Sequence, residues 1–93
     1  MQAFDVSAHL DDAETIRAYL SAALEDPNPD AFLLALGNVA KARGMTQIAE
    51  AAGVGRQSLY KALSPGAQPR YNTVLKLIGA LGLKLAVHGV KEA

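Results

Sequence analysis

Met45-Thr46-Gln47-Ile48-Ala49-Glu50-Ala51-Ala52-Gly53-Val54-Gly55-Arg56-Gln57-Ser58-Leu59-Tyr60-Lys61-Ala62-Leu63 contains two short apolar-periodic segments separated by a glycine turn. This is the pattern of a helix-turn-helix, in which two helices cross steeply over a turn of about 3–4 residues. Close approach of the helices demands a small residue, and Ala49 occupies that place. Gly53 stands at the end of the first helix, where a left-handed residue is wanted. Ile48, Ala52, Val54, Leu59 and Leu63 are expected to face inward. Thr46, Gln47, Glu50, Arg56, Gln57, Ser58 and Lys61 remain outside, a set with one acid and many groups able to bond bases or phosphates.

The motif lies in 93 residues that read as one domain, 1–93, with about half the residues apolar and therefore a small core. There is no cysteine, so neither a disulfide framework nor a thiolate metal site is available, which suits a reducing cytoplasm. The start, Met1-Gln2-Ala3-Phe4-Asp5-Val6, has no basic region followed by a long apolar run, so no signal peptide is expected. No apolar run approaches the roughly 18 residues needed to span a bilayer. The formal net charge is zero, yet the halves differ. Residues 1–36 carry seven acids and one base, a net of −6, and residues 37–93 carry eight bases and two acids, a net of +6. A basic second half can face phosphate, whereas the acidic first half should avoid it and suits a basic protein.

Working outward from the motif, Asp11 and Asp12 offer caps for a helix to about Glu25, with Ile16, Tyr19, Leu20, Ala23 and Leu24 as its apolar stripe. Asn28 caps a second helix from Pro29 to about Arg43, with Phe32, Leu33, Leu36, Val39 and Ala40 inward and Gly44 as its stop. Thr46 is expected to cap the support helix, and Gly55 takes the cap position of the recognition helix. Ser64-Pro65-Gly66-Ala67-Gln68-Pro69 is a loop. Asn72 is expected to cap a last helix from Thr73 to Leu81. Leu83, Leu85 and Val87 then alternate with Lys84, Ala86 and His88, the period of a strand over about 83–88. Its partner would be Phe4–Val6 or the same strand of a second chain. The reading is an all-α, five-helix domain with short terminal β-strands.

In helix-turn-helix proteins, residues near the start of the second helix reach base edges in the major groove. Here these are Arg56 and Gln57, with Lys61 one turn on. Arginine can bond guanine O6 and N7 together, and glutamine adenine N6 and N7. Thr46, Gln47, Ser58, Arg70, Tyr71 and Asn72 are the candidates for the DNA backbone. One helix reads few base pairs, so a dimer on two half-sites is expected. The apolar surplus at Leu77, Leu81, Leu83, Leu85 and Val87 is the candidate dimer contact. An enzyme is not expected: His9 and His88 are isolated in the sequence, and there is no Gly-rich phosphate loop. No metal, cofactor or small-molecule ligand is expected either.

Ala49, Gly53 and Val54, with Arg56-Gln57-Ser58-Leu59, resemble the lambda-repressor/Cro-like (Xre) helix-turn-helix superfamily. A wider match includes Phe4-Asp5-Val6, Ala18-Tyr19-Leu20, Ala42 to Ala49, Ser58 to Ser64, Pro69-Arg70-Tyr71, Leu75-Lys76 and Leu81 to Leu85. It resembles the HigA-like addiction-module antidote proteins, antitoxins of type II toxin–antitoxin systems, over most of the chain. That resemblance implies a protein that neutralises a RelE/ParE-like toxin by direct binding and represses its own operon as a DNA-bound dimer. Gly55 departs from the family, which more often has serine there. Toxins of that class are usually basic because they handle RNA, so Asp11, Asp12 and Glu14 are the candidate toxin-facing residues. The alternative is a stand-alone, phage-like transcriptional repressor with no toxin partner.

Overall fold

The computed structural model describes residues 12–90. Five helices follow in chain order: α1 (Ala13–Leu24), α2 (Pro29–Arg43), α3 (Met45–Ala52), α4 (Arg56–Ala62) and α5 (Tyr71–Ala80). The fold is all-α, as expected.

The first two helices start where local chemistry says they should. Asp12 is extended and accepts hydrogen bonds from the Thr15 N–H at 2.7 Å and the Thr15 hydroxyl at 2.9 Å. Asn28 Oδ1 accepts from the Asp30 N–H at 3.0 Å, and Pro29, with its fixed φ and missing donor, fills the first helical position. Lys41 and Arg43 lie in the last turn of α2, at the negative end of its dipole.

Two expected caps are not formed. Thr46 is already the second residue of α3, whose cap position is Gly44. That glycine (φ 103°) also ends α2, so the two helices abut and leave no extended residue at 46. Asn72 likewise falls inside α5, which begins after the extended Arg70 and has no side-chain cap.

The expected strand over 83–88 is also absent, since no strand occurs among the described residues. Alternating polarity makes a strand only where a ladder partner is present. The partner considered, Phe4–Val6, lies outside the described residues. Gly82 (φ 76°) instead turns the chain off α5, and the Leu83 N–H closes back on the Ile78 carbonyl at 3.1 Å.

Every helix contributes to the core. Ile16 and Leu20 come from α1, Ala35, Leu36, Val39 and Ala40 from α2, and Met45, Ile48, Ala49 and Ala52 from α3. Leu59 comes from α4, Leu77 and Ile78 from α5, and Leu81 from just beyond it. Among the described residues no polar side chain is buried. Of the stripe expected on α1, Leu24 is instead exposed. A half-buried polar link joins α1 to α2, where Asn38 Nδ2 donates to the Tyr19 hydroxyl at 2.9 Å. No described helix is long and apolar enough to cross a membrane.

The Thr15 backbone N–H, and secondarily its hydroxyl, hold the Asp12 carboxyl below its ordinary value of 3.8. A lowered folded-state pKa gives stability that is present above 3.8 and lost as the pH falls through the lowered value. Thermal unfolding of wild type and Asp12→Ala should therefore differ at neutral pH, the variant melting lower. The gap should narrow as the pH drops below 3.8. A gap independent of pH would show that the carboxylate charge contributes nothing to the cap.

Candidate nucleic-acid interface

The geometry of the motif follows from two glycines used differently. At Gly53 the chain is left-handed (φ 72°, ψ 30°), and the next N–H, that of Val54, bonds the Ala49 carbonyl at 3.0 Å. Nothing lies within 4 Å of where a Cβ would stand, so glycine serves the backbone angle and not the space. At Gly55 the chain is extended (φ −70°, ψ 148°), a conformation open to any residue, and no side chain caps α4. The turn between the helices is thus Gly53-Val54-Gly55.

α4 is held by Leu59, which is fully buried, while Ala49 of α3 is buried with it in the same cluster. Burying a leucine contributes about 1.5–3 kcal/mol. With Leu59 turned inward, Arg56, Gln57, Ser58, Tyr60 and Lys61 are all exposed. The Arg56 guanidinium carbon sits 5.6 Å from the centre of the Tyr60 ring, one turn on. Such a contact steadies the arginine by about 0.5–1 kcal/mol at an exposed site.

Ser58, Lys61 and Arg70 line one groove, together with the loop after α4. Gln68 and Thr73 line it as well and were not expected there. Thr73 read only as the start of a helix and Gln68 only as loop, since nothing local in the sequence shows how the loop folds back. No acid lines this groove. The loop is anchored where the Ser64 hydroxyl donates to the Lys61 carbonyl at 2.7 Å.

Thr46, Gln47, Tyr71 and Asn72 are exposed at the starts of α3 and α5. The Gln47 side chain turns back over Gly44, with Oε1 3.2 Å from where a Cβ on that glycine would stand.

The remaining candidates divide. Of the expected dimer contacts, Leu77 and Leu81 are enclosed in the chain's own core and cannot meet a second chain, while Leu83 is half-buried and Leu85 and Val87 are exposed. Asp12 has both carboxylate oxygens bonded to Thr15, and Glu14 pairs with Arg17 at 2.8 Å. Asp11 lies outside the described residues. No group of three or more acids and histidines able to hold a metal ion occurs among the described residues.

Residues 1–89 match the profile of a family described as probable addiction module antidote protein. The chain belongs to this family. An uncharacterized protein of Haemophilus influenzae is 46% identical over 84 residues, spanning 90% of this chain and 87% of that relative. No solved structure matches the chain. The antidote family gives the exposed motif a setting: an addiction module pairs an antidote with a toxin.

The two turn glycines should respond oppositely to substitution in urea unfolding. Gly53→Ala forces a left-handed alanine and should cost about 1–2 kcal/mol. Gly55→Ser supplies a capping hydroxyl and should gain a few tenths of a kcal/mol. Equal effects at the two positions would contradict the assignment of the turn.

Proposed function

We propose that this antidote-family chain neutralises a RelE/ParE-like toxin by direct binding and represses its own operon as a sequence-specific DNA-binding dimer of HigA-like, Xre type. The reading is carried by one observation: Arg56, Gln57 and Lys61 stand exposed on a short helix whose opposite side is pinned by Leu59. Arginine and glutamine at the start of a recognition helix have the donors and acceptors that discriminate bases in the major groove. Arg56 and Gln57 are the base readers, and Lys61 follows one turn along the same helix.

Backbone contact belongs to Ser58 and Arg70 in the basic groove, helped by Thr46, Gln47, Tyr71 and Asn72. Phosphate contacts set position and affinity, and base contacts set preference. Dimer contact is assigned to the C-terminal segment through Leu83, Leu85 and Val87, and toxin contact to the acidic first half that holds Asp11, Asp12 and Glu14. The family's antidote character supports the toxin side, and the charge division of the chain supports keeping the two partners on separate surfaces.

Two measurements test the reading. Arg56→Ala or Gln57→Ala should cost about 1–3 kcal/mol on the chain's own promoter and relax preference at one base position. Lys61→Ala, although Lys61 stands with the base readers on α4, should also weaken binding to all sequences and flatten the salt dependence where its charge meets phosphate. Full operator preference in Arg56→Ala would remove the base assignment. Separately, the product of the neighbouring reading frame should be toxic when expressed alone, and be rescued by and co-purify with this chain.

A further inference from the structure

Ser64, Pro65 and Gly66 form a wall shared by two grooves of opposite character. Lys61 and Arg70 lie on one side. On the other is a groove of about 350 Å³ between the start of α2 and the end of the recognition helix, lined by Asp26, Asp30, Leu33, Leu34 and Leu63. No basic side chain lines it.

Leu34 is 63% exposed, although the residues that follow it, Ala35 and Leu36, are buried. The core therefore does not need this leucine. A single exposed leucine is ordinary. Here it lines a concave surface with half-buried Leu33 and two exposed carboxylates. Asp26 uses one oxygen to accept from the Asn28 N–H at 2.9 Å, and neither Asp26 nor Asp30 is in an ion pair among the described residues.

The chemistry of the groove selects its occupant. Nucleic acid would bring phosphate against Asp26 and Asp30. A second copy of the chain, docking this surface on itself about a twofold axis, would bring the same acids face to face. The groove between α1 and the C-terminal segment is less selective, since Arg17, Lys84 and His88 share it with Glu25. We propose that the groove at Leu34 is a docking site for a cationic, amphipathic helical segment of a different protein. Its apolar side chains would meet Leu33, Leu34 and Leu63, and its lysines or arginines would meet Asp26 and Asp30. The identification of that protein as the toxin rests on the antidote reading above; the site itself does not.

The full chain, isotope-labelled, is titrated with a short synthetic helical peptide bearing leucine on one face and lysine on the other. Saturable amide shifts are expected at residues 31–34 and 64–66. Leu34→Lys, which removes the apolar contact and repels a cationic peptide, should weaken binding at least about tenfold, the scale of losing one central interface contact. Asp30→Asn should weaken it less. Glu50→Lys, exposed on α3 outside the groove, should bind as wild type, and a peptide with glutamate in place of lysine should not bind. Circular dichroism confirms that each variant is folded.

Absence of saturable shifts, shifts centred on α1 or α4, or equal binding of the glutamate peptide would overturn the proposal. Co-purification with the product of the neighbouring reading frame separates the two readings. A complex that survives Leu34→Lys overturns the groove and leaves the antidote reading standing. Failure of wild type to form any complex overturns the antidote reading, and the peptide arms then decide the groove alone.

Discussion

A seven-residue helix cannot sustain itself in water, and α4 is such a helix. Isolated helices need about 12–15 residues even to be marginal. α4 exists because Leu59 is buried among residues of the other helices, and because the left-handed residue at Gly53 delivers the chain at the angle that puts Leu59 there. Everything displayed on α4 inherits its position from that one side chain. The order Arg56, Gln57, Lys61 on the outside is the geometric complement of Leu59 on the inside.

The same logic explains why the supports around α4 are short and abutting. Gly44 ends α2 and opens α3 in one residue, so α3 starts against the core with no linker to drift. Ser64 ties the loop after α4 to the Lys61 carbonyl, and α5 supplies Leu77 and Ile78 to the shared core. The polar bond between Tyr19 and Asn38 fixes α1 against α2 where apolar contact alone would allow sliding. Stability comes from packing, and the caps and turns choose which packing forms.

What could be read from the residues alone follows from how local each signal is. Asn28-Pro29 starts α2 and Gly44 ends it because capping, a fixed φ and a left-handed stop act within a few residues. The inward set Ile48, Ala52 and Leu59 was legible from spacing, with Val54 and Leu63 only half-buried at the edges of the motif. Thr46 and Asn72 misled because a residue fit to cap is used as a cap only if the chain is extended there, which the neighbouring glycine or arginine decides. Period-two alternation over 83–88 describes a competence for pairing and not a pair. Ser58, Lys61 and Arg70 stand out in the sequence as polar and basic groups, but that they share one groove with Thr73 follows only from the return of the 64–70 loop.

The interior has a consequence for how such a protein changes over generations. Its fully buried side chains, Ile16, Leu36, Val39, Leu59 and Leu77, are all aliphatic, and among the described residues no polar group is enclosed with them. An interior of this kind constrains volume far more than identity, and exchanges among leucine, isoleucine and methionine usually cost less than about 1.5 kcal/mol. Neutral drift can therefore proceed inside the domain without touching its exterior. Exposed positions are free to respecialise for a new partner on a scaffold that does not have to be reinvented, so lineages carrying this fold can diverge in sequence faster than in shape.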